Sequence, residues 1–282
     1  MRYAAIDIGT VTCRLLVADV GDRGLRELYR RAEIVNLGDG VDATGALSAV
    51  AIDRVCAVVE EYLEIVIGYA SECPVEVRCL ATSASRDASN ADMFSARLEQ
   101  LGVKLSVIEG SREAELSFKG ASACFAGERL LVSDIGGGST ELIVGVAGEA
   151  PLHSHSFNIG CRRATERLLP SDPPLAEEID SLASWAREEL SGFFDEVGSL
   201  GFAPERYVAV AGTPTSVVAI DQGLDPYDPA RVHGQVVSAA TLERVLDRLA
   251  ALPLEERAHV VGLQAKRAPV IVAGLEIGRA HV

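Results

Sequence analysis

The stretch Val132–Val144, VSDIGGGSTELIV, reads as strand, glycine turn, strand. Asp134 closes the first apolar run, Gly136, Gly137 and Gly138 make the turn, and Ser139, Thr140 and Glu141 lead into Leu142–Val144. Consecutive glycines let a backbone turn sharply and bring its N–H groups close to a ligand. Successive N–H groups in such a turn form a concavity suited to phosphate oxygens. The flanking carboxylates Asp134 and Glu141 suit a hard cation such as Mg²⁺.

Laid beneath this stretch, Asp7–Val17 (DIGTVTCRLLV) matches Asp134–Val144 (DIGGGSTELIV) without a gap at Asp, Ile, Gly, Leu and Val. Thr12 and Ser139 match in type. An internal repeat of a strand–turn–strand unit implies two related halves. Asp7, Gly9, Thr10 and Thr12 then form a second, altered phosphate turn. Between the turns the pattern alternates strand and helix: a strand at 25–37, helical spacing over 45–70, strands at 75–80 and 103–108, and a helix at 92–101. That alternation predicts an α/β fold, here with two domains facing a shared cleft.

The polar run ATSASRDASN (81–90) reads as a loop with one arginine, Arg86, in a Ser/Thr setting. EGSREAELSFKG (109–120) reads as a helix with Ser111 as N-cap. Glu113 falls in its first turn, where the helix dipole alone would account for a carboxylate. Pro151–Ile159 reads as a strand whose His153 and His155 share a face as surface histidines. Arg162, Arg163 and Arg167 of the next helix read either as reaching phosphate or as a solvated face, the second being the preferred reading. The join at Tyr207–Thr215, strand then Gly212-Thr213 then helix from Ser216, aims helix N–H groups at an anion.

The 282 residues carry a formal net charge of −15 and are 48% hydrophobic. The apolar fraction is ample for two cores. The acidic balance argues against a nucleic-acid duplex, whose binding rests on Lys and Arg. No apolar run reaches the ~18 residues of a membrane span, and the N-terminus lacks a signal-peptide layout, so a cytoplasmic protein is expected. The six cysteines form no CxxC pattern and read as reduced, mostly buried thiols rather than zinc ligands. Neither a GxxxxGK[ST] nor a GxGxxG loop occurs.

The repeated Asp-and-glycine turns resemble those of the actin-like ATPase superfamily, whose domains are ribonuclease-H-like. Seven motifs resemble more specifically the exopolyphosphatase / guanosine-pentaphosphate phosphatase (Ppx/GppA) family. They are DIGTVTCRLL (7–16), ATSASRDASN (81–90), EGSREAELSFKG (109–120), DIGGGSTEL (134–142), NIGCRRATERL (158–168), AGTPTSV (211–217) and VHG (232–234). The resemblance implies that Glu113 is the base acting on the attacking water and that Glu141 positions metal and water. It makes Asp134 and Asp7 the companion carboxylates of the two turns, and Arg86 a phosphate clamp. It implies hydrolysis of a terminal phosphoanhydride of inorganic polyphosphate or guanosine pentaphosphate, with Mg²⁺ or another divalent cation. Expected domains are 1–120 and 121–282, and a homodimer is one option.

Three departures from the family pattern stand out. Val11 replaces a polar residue of the first turn. Pro269 replaces the aspartate of an Arg-Ala-Asp pattern. The chain also stops where family members continue: one back-translation of Glu276–Val282 coincides with a common sequencing-adapter sequence, so those residues are expected to be non-native. The length leaves no room for the extra domain of long-form members. Two other functions stay open, a non-catalytic binder of polyphosphate or alarmone and an actin-superfamily kinase.

Overall fold

The computed structural model describes residues 1–22 and 24–280. Contacts divide the chain into two units, Met1–Glu109 and Gly110–Val282.

The first unit comprises β1 (Arg2–Ile8), β2 (Thr12–Gly21), β3 (Gly24–Ile34), α1 (Val41–Thr44), α2 (Ala49–Ala70), β4 (Val75–Ala81), α3 (Ser83–Asp87), α4 (Ala91–Gln100) and β5 (Leu105–Val107). Its five-stranded sheet has the order β3-β2-β1-β4-β5. β1 runs antiparallel to β2 and parallel to β4. Period-2 burial turns Ala4, Ile6 and Ile8 of β1 and Cys13, Leu15 and Val17 of β2 into one core. α2 begins where the Ser48 hydroxyl accepts from the Ala51 N–H at 3.2 Å. Its buried stripe Ile52, Val55, Val59, Tyr62 and Val66 follows helical spacing. Each such aliphatic side chain stabilises the unit by roughly 1.5–3 kcal/mol when fully buried.

The second unit comprises α5 (Gly110–Ala121), β6 (Arg129–Ile135), β7 (Thr140–Val146), β8 (His153–Phe157), α6 (Cys161–Leu168), α7 (Ala176–Ser199), β9 (Arg206–Val210), α8 (Gly212–Asp221), α9 (Pro229–Val232), α10 (Ala239–Ala250), α11 (Leu254–Arg257) and α12 (Ile271–Arg279). Its four-stranded sheet has the order β8-β7-β6-β9, with β6 antiparallel to β7 and parallel to β9. Alternation splits β6 and β7 between two faces. Leu130, Val132 and Ile143 pack with Ala114 and Phe118 of α5, whereas Leu131, Ile135, Leu142 and Val144 pack with the core of α7 and α12. Because α5 buries its apolar stripe on this sheet, the units divide between Glu109 and Gly110, ahead of the join expected near Ala121.

Local differences from the sequence reading have local causes. The polar run at 81–90 holds the short helix α3. α5 starts at Gly110, which puts Ser111 inside the helix rather than at its cap. α8 starts at Gly212, ahead of Ser216. Of the cysteines, Cys13, Cys56, Cys79 and Cys161 are buried, Cys73 is intermediate, Cys124 is exposed, and all are free thiols. Of Glu276–Val282, the first five residues are described, mostly as the end of α12; His281 and Val282 lie outside the described residues. Among the described residues no helix is long and apolar enough to cross a membrane.

Candidate active site

Both predicted turns close in the same way. In the first unit the Gly9 N–H donates to the Thr12 carbonyl at 2.9 Å, and in the second the Gly136 N–H donates to the Ser139 carbonyl at 3.0 Å. The register across each turn is also shared: Asp7 faces Arg14, and Asp134 faces Glu141. The chemistry of the facing pair is opposite. Asp7 and Arg14 form an ion pair at 3.0 Å. Asp134 and Glu141 set two carboxylates directly opposite one another, an arrangement that is destabilising unless a cation offsets it.

The second-unit carboxylates lie on the face that α5 covers, since Asp134 continues the alternation of Leu130 and Val132 while Glu141 shares that of Ile143. α5 is held there by Phe118, whose ring fills the space above Gly145; a Cβ at that position would meet Phe118 Cζ at 2.8 Å. Glu113 and Ser117 lie one turn apart on the neighbouring stripe of α5. The Ser117 hydroxyl donates to Asp134 Oδ2 at 2.6 Å. Ser156, the cross-strand partner of Glu141 on β8, donates to Glu141 Oε1 at 2.7 Å. Glu141 is 1% exposed. Burial pushes its carboxyl well above the ordinary carboxylate range, and the charges of Glu113 and Asp134 push the same way; hydrogen bonds from Ser156 and Ser139 pull it down. Glu113, Asp134 and Glu141 therefore sit within one electrostatic cluster.

The glycine turn owes its orientation to α6. The Gly136 carbonyl accepts from the Cys161 N–H at 2.9 Å, and the Gly137 carbonyl accepts from the N–H groups of Arg162 at 2.9 Å and Arg163 at 3.2 Å. Arg163 Nε donates to the Gly138 carbonyl at 2.8 Å. In a planar trans peptide the N–H points opposite to the C=O, so the N–H groups of Gly137, Gly138 and Ser139 are directed away from α6. Gly160, just before α6, lets the two backbones touch: a Cβ there would lie 2.5 Å from the Gly137 carbonyl carbon and oxygen. Arg162 and Arg163 are thus not a solvated face; Arg162 is buried, and Arg163 braces the turn.

In the first unit, Thr10 and Thr12 are buried, and the Thr10 carbonyl accepts from the Gly38 N–H at 2.9 Å. Val11 is buried too, and its carbonyl accepts from the N–H groups of Val35 and Asn36 at 2.9 and 3.0 Å. The valine therefore fills core where the family's polar residue would stand. Parallel pairing of Ile8 with Ala81 brings the start of α3 beside this turn. Arg86 Nη1 donates to the Ile108 carbonyl at 2.8 Å, which fixes the arginine on the first unit. Pairing of Asp134 with Val210 does the same in the second unit for Gly212 and Thr213. Thr213 is buried, and the Arg267 guanidinium packs directly against Gly212. His153 is half-buried rather than a plain surface residue. It stacks on Phe193 with ring centroids 5.1 Å apart, and its Nε2 lies 2.8 Å from Glu196.

The roles of Ser117, Ser156 and Gly160 are not read from the sequence, although Ser117 and Gly160 lie inside the motifs at 109–120 and 158–168. Ser156 has a signal of its own, because pairing the next strand onto β7 puts it opposite Glu141. Among the described residues no group of three or more His, Cys, Asp or Glu side chains is placed to hold a metal ion. A pair of facing carboxylates still fits Mg²⁺, which commonly takes one or two carboxylates and completes its shell with substrate phosphates and water.

The match to known proteins agrees with this geometry. Residues 16–281 match the Ppx/GppA phosphatase family. The chain belongs to that family. It is 41% identical to Exopolyphosphatase 2 of Mycobacterium tuberculosis over 285 aligned positions, covering 97% of this chain and 87% of the relative. It is 30% identical to the guanosine-5'-triphosphate,3'-diphosphate pyrophosphatase of Aliivibrio fischeri, covering 98% of this chain and 53% of the relative. The crystal structure of the Aquifex aeolicus Ppx/GppA family member superposes with a TM-score of 0.79 at 30% identity, covering 99% of this chain and 89% of that one. The fold is accordingly the α/β, ribonuclease-H-like architecture of actin-like ATPases.

One consequence for stability follows for this Ppx/GppA chain. Glu141 has a folded-state pKa raised above its unfolded value. Its protonated form therefore favours the fold at acid pH, and that contribution is lost as pH rises through the folded pKa. Glu141→Gln keeps an acceptor for Ser156 and removes the charge. It is expected to raise the melting temperature of the metal-free protein at pH 8, with a smaller gain at pH 5. Thermal melts at the two pH values check this; an equal or larger gain at pH 5 contradicts it.

Proposed function

We propose that this chain hydrolyses the terminal phosphoanhydride of inorganic polyphosphate, of guanosine pentaphosphate, or of both. The observation that carries the proposal is the clustering of Glu113, Asp134 and Glu141 beside a glycine turn whose N–H groups are directed away from α6. The names of the relatives supply the substrate class, a linear phosphate chain or a nucleotide polyphosphate.

In this reading Glu113 orients a water molecule and accepts its proton as the water oxygen bonds to the terminal phosphorus. The bridging P–O bond breaks, and the remaining phosphate chain leaves with the electron pair. The N–H groups of Gly137, Gly138 and Ser139 bind oxygens of the phosphoryl group where negative charge is held. Asp134 and Glu141 would hold Mg²⁺, which when bound offsets charge on the phosphate oxygens. Asp7, Gly9, Thr10, Thr12 and Arg86 of the first unit, and Gly212 and Thr213 of the second, are assigned to binding phosphates. The Asp7–Arg14 ion pair already offsets the charge of the first-unit carboxylate, so the cation is assigned to the second-unit carboxylates.

The test is orthophosphate release by the purified full chain from long-chain polyphosphate and from guanosine pentaphosphate, measured under one set of conditions. Release is expected from at least one substrate, lost in EDTA and restored by excess Mg²⁺. Tight binding of both substrates without turnover would overturn the assignment in favour of a binding protein.

A further inference from the structure

Resting on the hydrolytic reading of the second-unit site, we propose that Ser117 is a positioning residue that sets Asp134 for the divalent cation and couples it to the helix carrying Glu113. Ser117 lies in the same 109–120 motif as Glu113, four residues on, and its hydroxyl reaches Asp134 Oδ2 at 2.6 Å. That length is typical of a charge-assisted O–H···O⁻ hydrogen bond. The bond fixes one oxygen of a carboxylate that stands at the edge of the glycine turn and opposite Glu141.

The arrangement is paired. Glu141 has its own serine donor, Ser156, supplied by β8 at 2.7 Å. Each of the two carboxylates assigned to the cation is thus oriented by a serine hydroxyl from an element outside its own strand. Groups that orient metal-ligating carboxylates typically change metal affinity or activity by about 10–100-fold when removed. Ser117 has a further effect that Ser156 lacks. Glu113 lies one turn earlier on α5, so the Ser117–Asp134 bond ties the base's helix to the cation's carboxylate. The buried neighbours Ala114 and Phe118 fix how far α5 stands from the sheet. The hydroxyl fixes where along the sheet the Glu113 stripe meets Asp134.

The experiment compares wild type with Ser117→Ala and Ser117→Thr. Mn²⁺ binding to substrate-free protein is followed by electron paramagnetic resonance, and kcat and KM are measured with long-chain polyphosphate in saturating Mg²⁺. Ser117→Ala is expected to weaken Mn²⁺ binding about tenfold and to lower kcat by a similar factor, with KM within about twofold. Ser117→Thr, which keeps the hydroxyl, is expected to stay within about threefold of wild type in both. Unchanged Mn²⁺ binding in Ser117→Ala overturns the proposal. So does a Thr variant as impaired as the Ala variant, or a wild type that takes up no Mn²⁺ at millimolar concentration. The Mn²⁺ measurement needs no turnover, so a wild type that binds the ion but releases no orthophosphate rejects the hydrolytic reading and still decides the role of Ser117.

Discussion

Glu113→Gln is expected to lower kcat for orthophosphate release by about 10²–10⁴-fold, the range for loss of a positioned general base. That corresponds to about 2.7–5.4 kcal/mol of transition-state stabilisation. The substitution keeps the size of the side chain and removes only the capacity to take a proton. KM for the phosphate chain should change little, because the glycine-turn N–H groups proposed to bind phosphate are untouched. Stability should not fall, because Glu113 is one of the charges that raise the Glu141 pKa, and its removal relieves that repulsion. The decisive measurement is therefore kcat beside a thermal melt. Undiminished kcat in a well-folded variant would reject Glu113 as the base, and a collapsed melting temperature would return it to a structural role at the start of α5.

Gly160→Ala is expected to disrupt the glycine turn of the second unit. Gly160 has φ −143° and ψ 163°, a conformation any residue adopts, so the restriction is one of space. Its Cβ would fall 2.5 Å from the Gly137 carbonyl group and 2.6 Å from the Gly138 carbonyl carbon. Those are backbone atoms held by N–H groups of α6, and they cannot swing aside as a side chain would. Overpacking of this kind costs about 1–3 kcal/mol. The turn must shift to relieve it, and a displacement near 1 Å in a catalytic arrangement can cost about 10²-fold in rate. Gly192→Ala is the control, since Gly192 lies within α7 with nothing within 4 Å of a built Cβ. It should raise stability by about 0.5–1 kcal/mol with wild-type turnover. Wild-type turnover by the Gly160 variant would show that the contact with α6 does not set the cradle.

The two expectations differ in how far the sequence discloses their basis. The Asp-Ile-Gly repeat, the two turns and the carboxylates beside them are legible because they are local: a glycine turn between two apolar runs closes on itself, as the paired 2.9 and 3.0 Å hydrogen bonds of Gly9 and Gly136 record. The α/β alternation is legible for the same reason. Arg163 could not be placed locally, because its guanidinium donates to a carbonyl of a turn more than twenty residues earlier, and the backbone N–H of Arg162 reaches the same turn. Composition marks them as a polar face, whereas the fold lays the start of α6 against the glycine turn. The helix Gly110–Ala121 follows the first unit in sequence, so its allegiance was equally hidden; Phe118 over Gly145 decides that it belongs with the second.

What the sequence by itself determined is the pair of turns, their carboxylates and the family they indicate, from which the proposal for Glu113 comes. What only the tertiary structure decided is the electrostatic character of each turn and the direction in which the second one faces. The first carboxylate meets Arg14 across its hairpin and is neutralised, while the second meets Glu141 under the helix that carries Glu113 and Ser117. The physical reason is that hydrogen-bond direction and burial depend on which groups the fold brings within a few ångströms: Arg14 and Glu141 lie in the same hairpins as their aspartates, whereas Ser117 and the α6 groups that turn the glycine loop come from helices outside them.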